Sequence, residues 1–239
     1  MTRPLLLLSA TLLFSAPLAA QQIQRQLGDF DFKLGTTPSR SMAQGLISPS
    51  ASGAFHGGLD LTHRSGWYVG QYAPSMGLSA ASTFKLDSYL GYKQRFTDSL
   101  GYEAGLIRYS YPTLSRPDSH ALYGGLSLLG TRLGGALNDN PSNRTGTLFA
   151  DFGHVPLIQA SVTLKVAHHR LGTPYTIGDG SQVDSFNDWS LQLSRPWLGM
   201  DLDLIYSNSD LSGGGCGAYS GMNTFCDGMV TLKAQRSFF

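Results

Sequence analysis

Apolar and polar residues alternate with a period of two along most of this chain. In FKLDSYLGYKQR, Phe84, Leu86, Leu90 and Tyr92 interleave with Lys85, Asp87, Lys93 and Arg95. In LIQASVTLKVAHH, Ile158, Ala160, Val162, Leu164 and Val166 interleave with Gln159, Ser161, Thr163 and Lys165. In GMDLDLIYS, Met200, Leu202, Leu204 and Tyr206 interleave with Asp201 and Asp203. Successive strand residues point to opposite faces, so each segment predicts a strand with one apolar and one polar face. No stretch sustains a helical period with caps. The pattern predicts an all-β chain with strands near 27–36, 54–63, 66–74, 84–95, 100–111, 119–128, 131–138, 145–153, 157–168, 185–194, 198–207 and 228–239.

The connections sort by length. Long ones fall at 37–53, 75–83, 112–118, 139–144, 169–184 and 208–227, and short ones at 64–66, 96–100, 129–130, 153–156 and 194–197. In an up-and-down sheet alternate connections share an end, so one end carries tight turns and the other carries loops. That is the layout of an outer-membrane barrel. The expectation is a transmembrane antiparallel up-and-down β-barrel of about 12 strands. An even count puts both termini at the tight-turn end and lets the first and last strands pair antiparallel. A soluble, lipocalin-like barrel is the alternative.

The first residues sharpen the choice. Arg3 precedes an apolar run from Leu5 to Phe14, and Ala16, Ala19 and Ala20 follow. This is the order of a cleaved secretory signal peptide over 1–20, leaving 21–239 as one barrel domain. The run is short of the roughly 18–20 residues a membrane anchor helix needs. The chain has 17 Lys+Arg and 16 Asp+Glu, and removal of 1–20 takes away Arg3 alone, so the charge balances. A balanced surface argues against nucleic acid as a partner. Cys216 and Cys226 are the two cysteines. In an oxidising compartment they can pair as a disulfide, with two unlinked thiols the alternative. Trp67, Tyr68, Tyr72, Phe96, Tyr109, Tyr111, Trp189, Trp197, Tyr206, Phe238 and Phe239 gather near strand ends, as an interfacial girdle does.

The last strand carries Val230, Leu232, Ala234 and Phe238 on one face, and the chain stops at Phe239. A final strand ending in phenylalanine is similar to those of outer-membrane barrels, where assembly machinery reads it. Either Phe238 faces lipid or the end is bulged, because Phe239 shares the parity of Lys233. A further stretch, HGGLDLTHRSGWYVGQYAPSM with KLDSYLGYKQRFTDSLGYEAGLIRYSYP, resembles the TorF porin family. The shared elements are Gly57-Gly58, Ser65 to Gly70, Leu86-Asp87 with Tyr89, Gly91-Tyr92, Gly101-Tyr102 and Tyr109 to Pro112, over roughly 30–130. TTPSRSMAQG is a divergent form of the family's loop after its first strand. The resemblance implies an outer-membrane barrel of the porin kind in a Gram-negative bacterium, with outer-membrane lipid as partner and no catalytic residues.

Chemistry is then a matter of the lumen. His154, His168 and His169 stand among many serines with no spacing that builds a triad, so an outer-membrane hydrolase ranks third. His168 and His169 point to opposite faces and do not share a metal. The expectation is no cofactor, no metal and no enzyme activity. With the polar face inward, Asp29, Asp31, Asp60, Asp87, Glu103, Asp151, Asp188, Asp201 and Asp203 face Lys33, Lys85, Lys93, Lys165 and Lys233. That acidic excess predicts a small-solute or ion channel with mild cation preference. A structural or adhesive barrel, its lumen filled by paired charges and its loops doing the binding, is the alternative.

Overall fold

A computed structural model describes residues 23–35, 46, 56–76, 84–112, 118–140, 142–176, 180, 182–211 and 228–235. The expected signal peptide, Cys216, Cys226, Phe238 and Phe239 lie outside the described residues. The strands are β1 (Ile23–Leu27), β2 (Phe30–Gly35), β3 (Gly57–His63), β4 (Trp67–Met76), β5 (Phe84–Arg95), β6 (Leu100–Ser110), β7 (Ser119–Leu128), β8 (Thr131–Asn140), β9 (Asn143–Val155), β10 (Ala160–Thr176), β11 (Gln182–Trp197), β12 (Met200–Ser209) and β13 (Met229–Gln235). They form one 13-stranded antiparallel sheet in strict chain order.

Three expectations about the strands need correction. First, the strand expected over 27–36 is β2, and a further strand, β1, precedes it in a hairpin. Leu27 pairs with Phe30, and Gly28 between them has φ 63°, the left-handed conformation a two-residue turn beginning with glycine uses. Second, 139–144 is not a long loop. Asn140 pairs with Asn143, leaving 141–142 as the connection. Third, most of 169–184 is strand. After a register shift beyond Arg170, Tyr175 pairs with Val183 and Thr176 with Gln182. β10 and β11 have 17 and 16 residues. That exceeds the roughly 9–11 residues a tilted spanning strand needs. Polar and glycine-rich composition made both regions read as loops.

The extra strand changes the edges. With 13 strands, β1 and β13 run in the same direction and cannot form an antiparallel pair. Among the described residues the two edges do not pair, and β1 starts at the loop end rather than the tight-turn end. The sorting of connections otherwise stands. The turns at 28–29, 64–66, 96–99, 129–130, 156–159 and 198–199 share one end, and the longer sequence intervals, with 141–142 the exception, share the other.

The two faces differ in kind. One carries an aliphatic surface with Leu122 65%, Leu137 69%, Leu148 68% and Leu232 69% exposed. A directly paired row on that face runs Leu61, Val69, Leu90, Leu106, Leu122 and Leu137 across β3–β8. The other face carries the charged residues and is covered by its own side chains: Asp60, Asp87, Glu103, His169, Asp188, Ser190 and Ser207 are all buried there. A sheet with its aliphatic face exposed and its polar face buried inverts the distribution of a water-soluble β protein.

Candidate functional site

The polar inner face is the candidate site, and it is assembled from glycine–tyrosine pairs. Gly70 of β4 stands opposite Tyr89 of β5, Gly91 of β5 opposite Tyr68 of β4, and Gly105 of β6 opposite Tyr123 of β7. A methyl at any of these glycines would overlap the ring lying over it. Each tyrosine therefore lies flat along the wall, filling the gap its neighbour's missing side chain leaves. With Tyr72, Ile107, Ala136 and Phe149 these tyrosines form one buried cluster from β4 to β9.

The tyrosine hydroxyls take up the acids. Tyr68 donates to Glu103 and meets the hydroxyl of Tyr123, and Tyr89 donates to Asp60. Lys93 sits 5.6 Å from the centroid of the Tyr68 ring, directly opposite Glu103 on β6. Asp87 is fully buried, 3.6 Å from Lys85, whose ammonium also lies 5.2 Å from the Tyr109 ring. Arg132 Nε donates to Asp151 at 3.1 Å. Buried carboxylates are tolerable when bonded in this way, and Asp87 departs from the rule: among the described residues neither of its oxygens makes a hydrogen bond, and Lys85 offsets its charge from 3.6 Å.

Over β9–β13 the wall changes. Its inward side chains include Thr147, Phe149 and Asp151, then Thr163, Lys165, Ala167 and His169, then Phe186, Asp188, Ser190 and Gln192, then Asp203, Ile205 and Ser207, then Met229, Thr231 and Lys233. Asp203 is opposite Lys233, and Lys165 lies between Phe149 and Ser190. Asp201 is exposed beside the 198–199 turn. His169 is inward and His168 outward, as alternation expects. With the Nε2 proton of His169 directed to Asp188 Oδ2 at 3.2 Å, Nδ1 accepts from the Thr145 hydroxyl at 3.0 Å. The ring stacks on Phe186, centroids 4.6 Å apart. Both nitrogens are engaged, so the group is held as part of the wall.

The expected pore-lining residues Lys85, Asp87, Lys93, Glu103, Asp151, Lys165, Asp188, Asp203 and Lys233 thus share the inner face, with Asp201 on the same parity. Asp29 does not: it sits in the 28–29 turn, 3.1 Å from Arg64. Three of the expected girdle aromatics face inward, Tyr68 and Tyr72 buried and Tyr109 half-buried against them, while Trp67, Phe96, Trp189, Trp197 and Tyr206 are exposed. Arg132 is an inner base the composition of the polar face had missed. The alternation of Arg132, Gly134, Ala136 and Asn138 against Leu133, Gly135 and Leu137 carries that signal, but its glycines dilute it.

The family model for Gcw_chp, a bacterial protein of unknown function, matches residues 30–137. That stretch begins with β2, ends within β8, and contains the glycine–tyrosine wall. No curated protein and no solved structure matches the chain.

Proposed function

We propose that this protein is an outer-membrane β-barrel of a Gram-negative bacterium that passes small solutes or ions. The observation that carries the reading is the inverted distribution of side chains: aliphatic rows exposed on one face, bonded charges buried on the other. In lipid an open sheet would leave edge N–H and C=O groups unpaired, each costing several kcal/mol, so the sheet must close. β13 complements β2 rather than β1. The two run antiparallel, and Val230, Leu232 and Ala234 share the apolar parity of Phe30, Phe32 and Leu34. β1 sets Arg25 opposite Phe32 on that apolar face, where lipid disfavours it. Closure of β2 onto β13 releases β1 and gives twelve spanning strands.

The resemblance of 30–130 to TorF porins, the exposed aromatics and the tight turns sorted to one end support the same reading. The assembly machinery would then read the final strand. Paired acids leave little excess charge, so any cation preference is weak and rests on Asp201 and Asp203. The second reading is a structural barrel with a filled lumen, which the tyrosine cluster favours. Refolding into planar bilayers separates the two. Discrete ohmic steps with heat-modifiable gel migration support the channel, heat-modifiable migration without steps supports the structural barrel, and recovery as a soluble periplasmic protein removes both.

A further inference from the structure

A single hydrogen-bonded row crosses the outer face just beyond the leucine row, toward the loop end. It runs Gln71, Ser88, Arg108, His120, Asp139, Arg144, Arg170 and Ser185 over β4–β11. The neighbouring row on that face holds Leu90, Leu106, Leu122 and Leu137, then Gly146 and His168. Rows on one face lie two residues apart, about 7 Å along the strand. In the barrel-in-lipid reading the polar row marks, over β6–β9, the height where lipid chains give way to headgroups, while Met76, Phe84 and Leu86 extend the apolar face beyond it on β4 and β5.

Arg144 and Arg170 are direct cross-strand partners, both exposed. Like charges directly opposite are destabilising unless something sits between them. Asp139 bonds Arg144 Nε at 2.7 Å, and Asp118 accepts from Arg108 Nε at 2.9 Å further along the row. Among the described residues no ion pair engages Arg170. Beneath the pair, Gly146 leaves open wall: a methyl there would touch only Leu137 Cδ2, at 3.6 Å. His168 flanks this gap, its Nδ1 held 2.8 Å from Asn187 Oδ1. The 141–142 connection makes this the part of the loop end where the chain turns back soonest after the row.

We infer that Arg144 and Arg170 bind the phosphate of a lipid headgroup, with its chains descending over Gly146 onto the leucine row. Two adjacent guanidinium forks match the several oxygens of a phosphate, and each supplies paired N–H donors. The inference rests on the barrel-in-lipid reading, because only there does the row meet headgroups.

The test uses the full mature chain refolded into phosphatidylcholine vesicles, checked by heat-modifiable migration, then extracted for native mass spectrometry. Dioleoylphosphatidate and dioleoylglycerol share their chains and differ in the phosphate. One retained phosphatidate with no retained dioleoylglycerol is expected. An arginine at a lipid surface contributes about fivefold, so R144Q/R170Q should weaken retention about thirtyfold. R108Q lies on the same row, but Asp118 takes both Nε and Nη2 of Arg108 whereas Asp139 takes only Nε of Arg144, so it should stay within about twofold of the parent. Equal retention of both lipids, or unchanged retention in the double variant, overturns the site. Full competition by equimolar inorganic phosphate also overturns it, by assigning the arginines to a soluble anion. Insertion without phosphate preference sinks the site alone, whereas failure to insert sinks the barrel reading with it.

Discussion

The inner wall over β4–β7 and the inner wall over β9–β13 follow opposite rules. On the first, glycines receive the rings of facing tyrosines, and hydroxyls of those tyrosines bind Glu103 and Asp60. On the second, Thr163, Ser190, Ser207 and Thr231 are short, and charges such as Lys165 and Lys233 stand between them. The first wall is a packed cluster of tyrosine rings. The second mixes charges and short hydroxyl side chains with Phe149 and Phe186, and Ser190 and Ser207 are buried within it. In a closed barrel the two proposed functions differ in how much room this second half keeps.

The largest expected effect tests whether the difference is confined to the inside. Leu122 of β7 and Leu191 of β11 both point outward, one behind each wall. Leu122→Arg and Leu191→Arg should each destabilise the lipid-inserted form by about 2–4 kcal/mol, as arginine does near the midplane. Urea unfolding from vesicles measures this. A large cost at one site and none at the other would mean that only part of the sheet meets lipid.

The next effect breaks the first wall. Gly91→Ala drives a methyl into Tyr68 and Tyr123 and should cost about 1–3 kcal/mol through overpacking. Gly124→Ala faces outward, with its nearest neighbour 3.5 Å away, and should change stability little. Equal effects at the two positions would remove the packing account of the tyrosine wall. Tyr89→Phe removes the donor to buried Asp60 and should cost about 1–3 kcal/mol without altering conductance. On the second wall the signs reverse at a half-buried position: Gln192→Trp should lower unit conductance more than it lowers stability. A conductance unmoved by Gln192→Trp and lowered by Tyr89→Phe would put the path along the wrong wall.

How much of this the sequence carried depended on the period of each segment. Strict alternation in β5 and β12 is enough to set Asp87, Asp201 and Asp203 on the parity opposite to the leucines. The β1–β2 hairpin was missed because Gly28 and Asp29 interrupt an otherwise continuous strand pattern, and a two-residue turn leaves almost no trace in periodicity. The paired Asn140 and Asn143, and the polar ends of β10 and β11, read as loops because they extend past the apolar belt, where the outward face is polar too. The tyrosine wall was hidden for a different reason. Glycine carries no polarity signal, and Tyr68 beside exposed Trp67 looked like one more girdle aromatic. Only cross-strand register shows that Gly70, Gly91 and Gly105 stand opposite the rings.

The smallest expected effect concerns the charges, and it sharpens the contrast most finely. Asp87 belongs to the packed side: its side chain is wholly buried and held near Lys85. A permeating ion cannot reach it, so Asp87→Asn should leave the reversal potential across a salt gradient unchanged. Asp201 belongs to the second wall and is exposed beside the 198–199 turn, where in the channel reading the field of its carboxylate would act on ions entering the lumen. Asp201→Asn should move the reversal potential toward zero from the cation-selective side. The shift should shrink as salt rises, because an exposed charge is screened over about 10 Å at 0.1 M and about 3 Å at 1 M. A shift from Asp87→Asn equal to that from Asp201→Asn would show that water reaches behind the tyrosines and that the two walls do not differ as described.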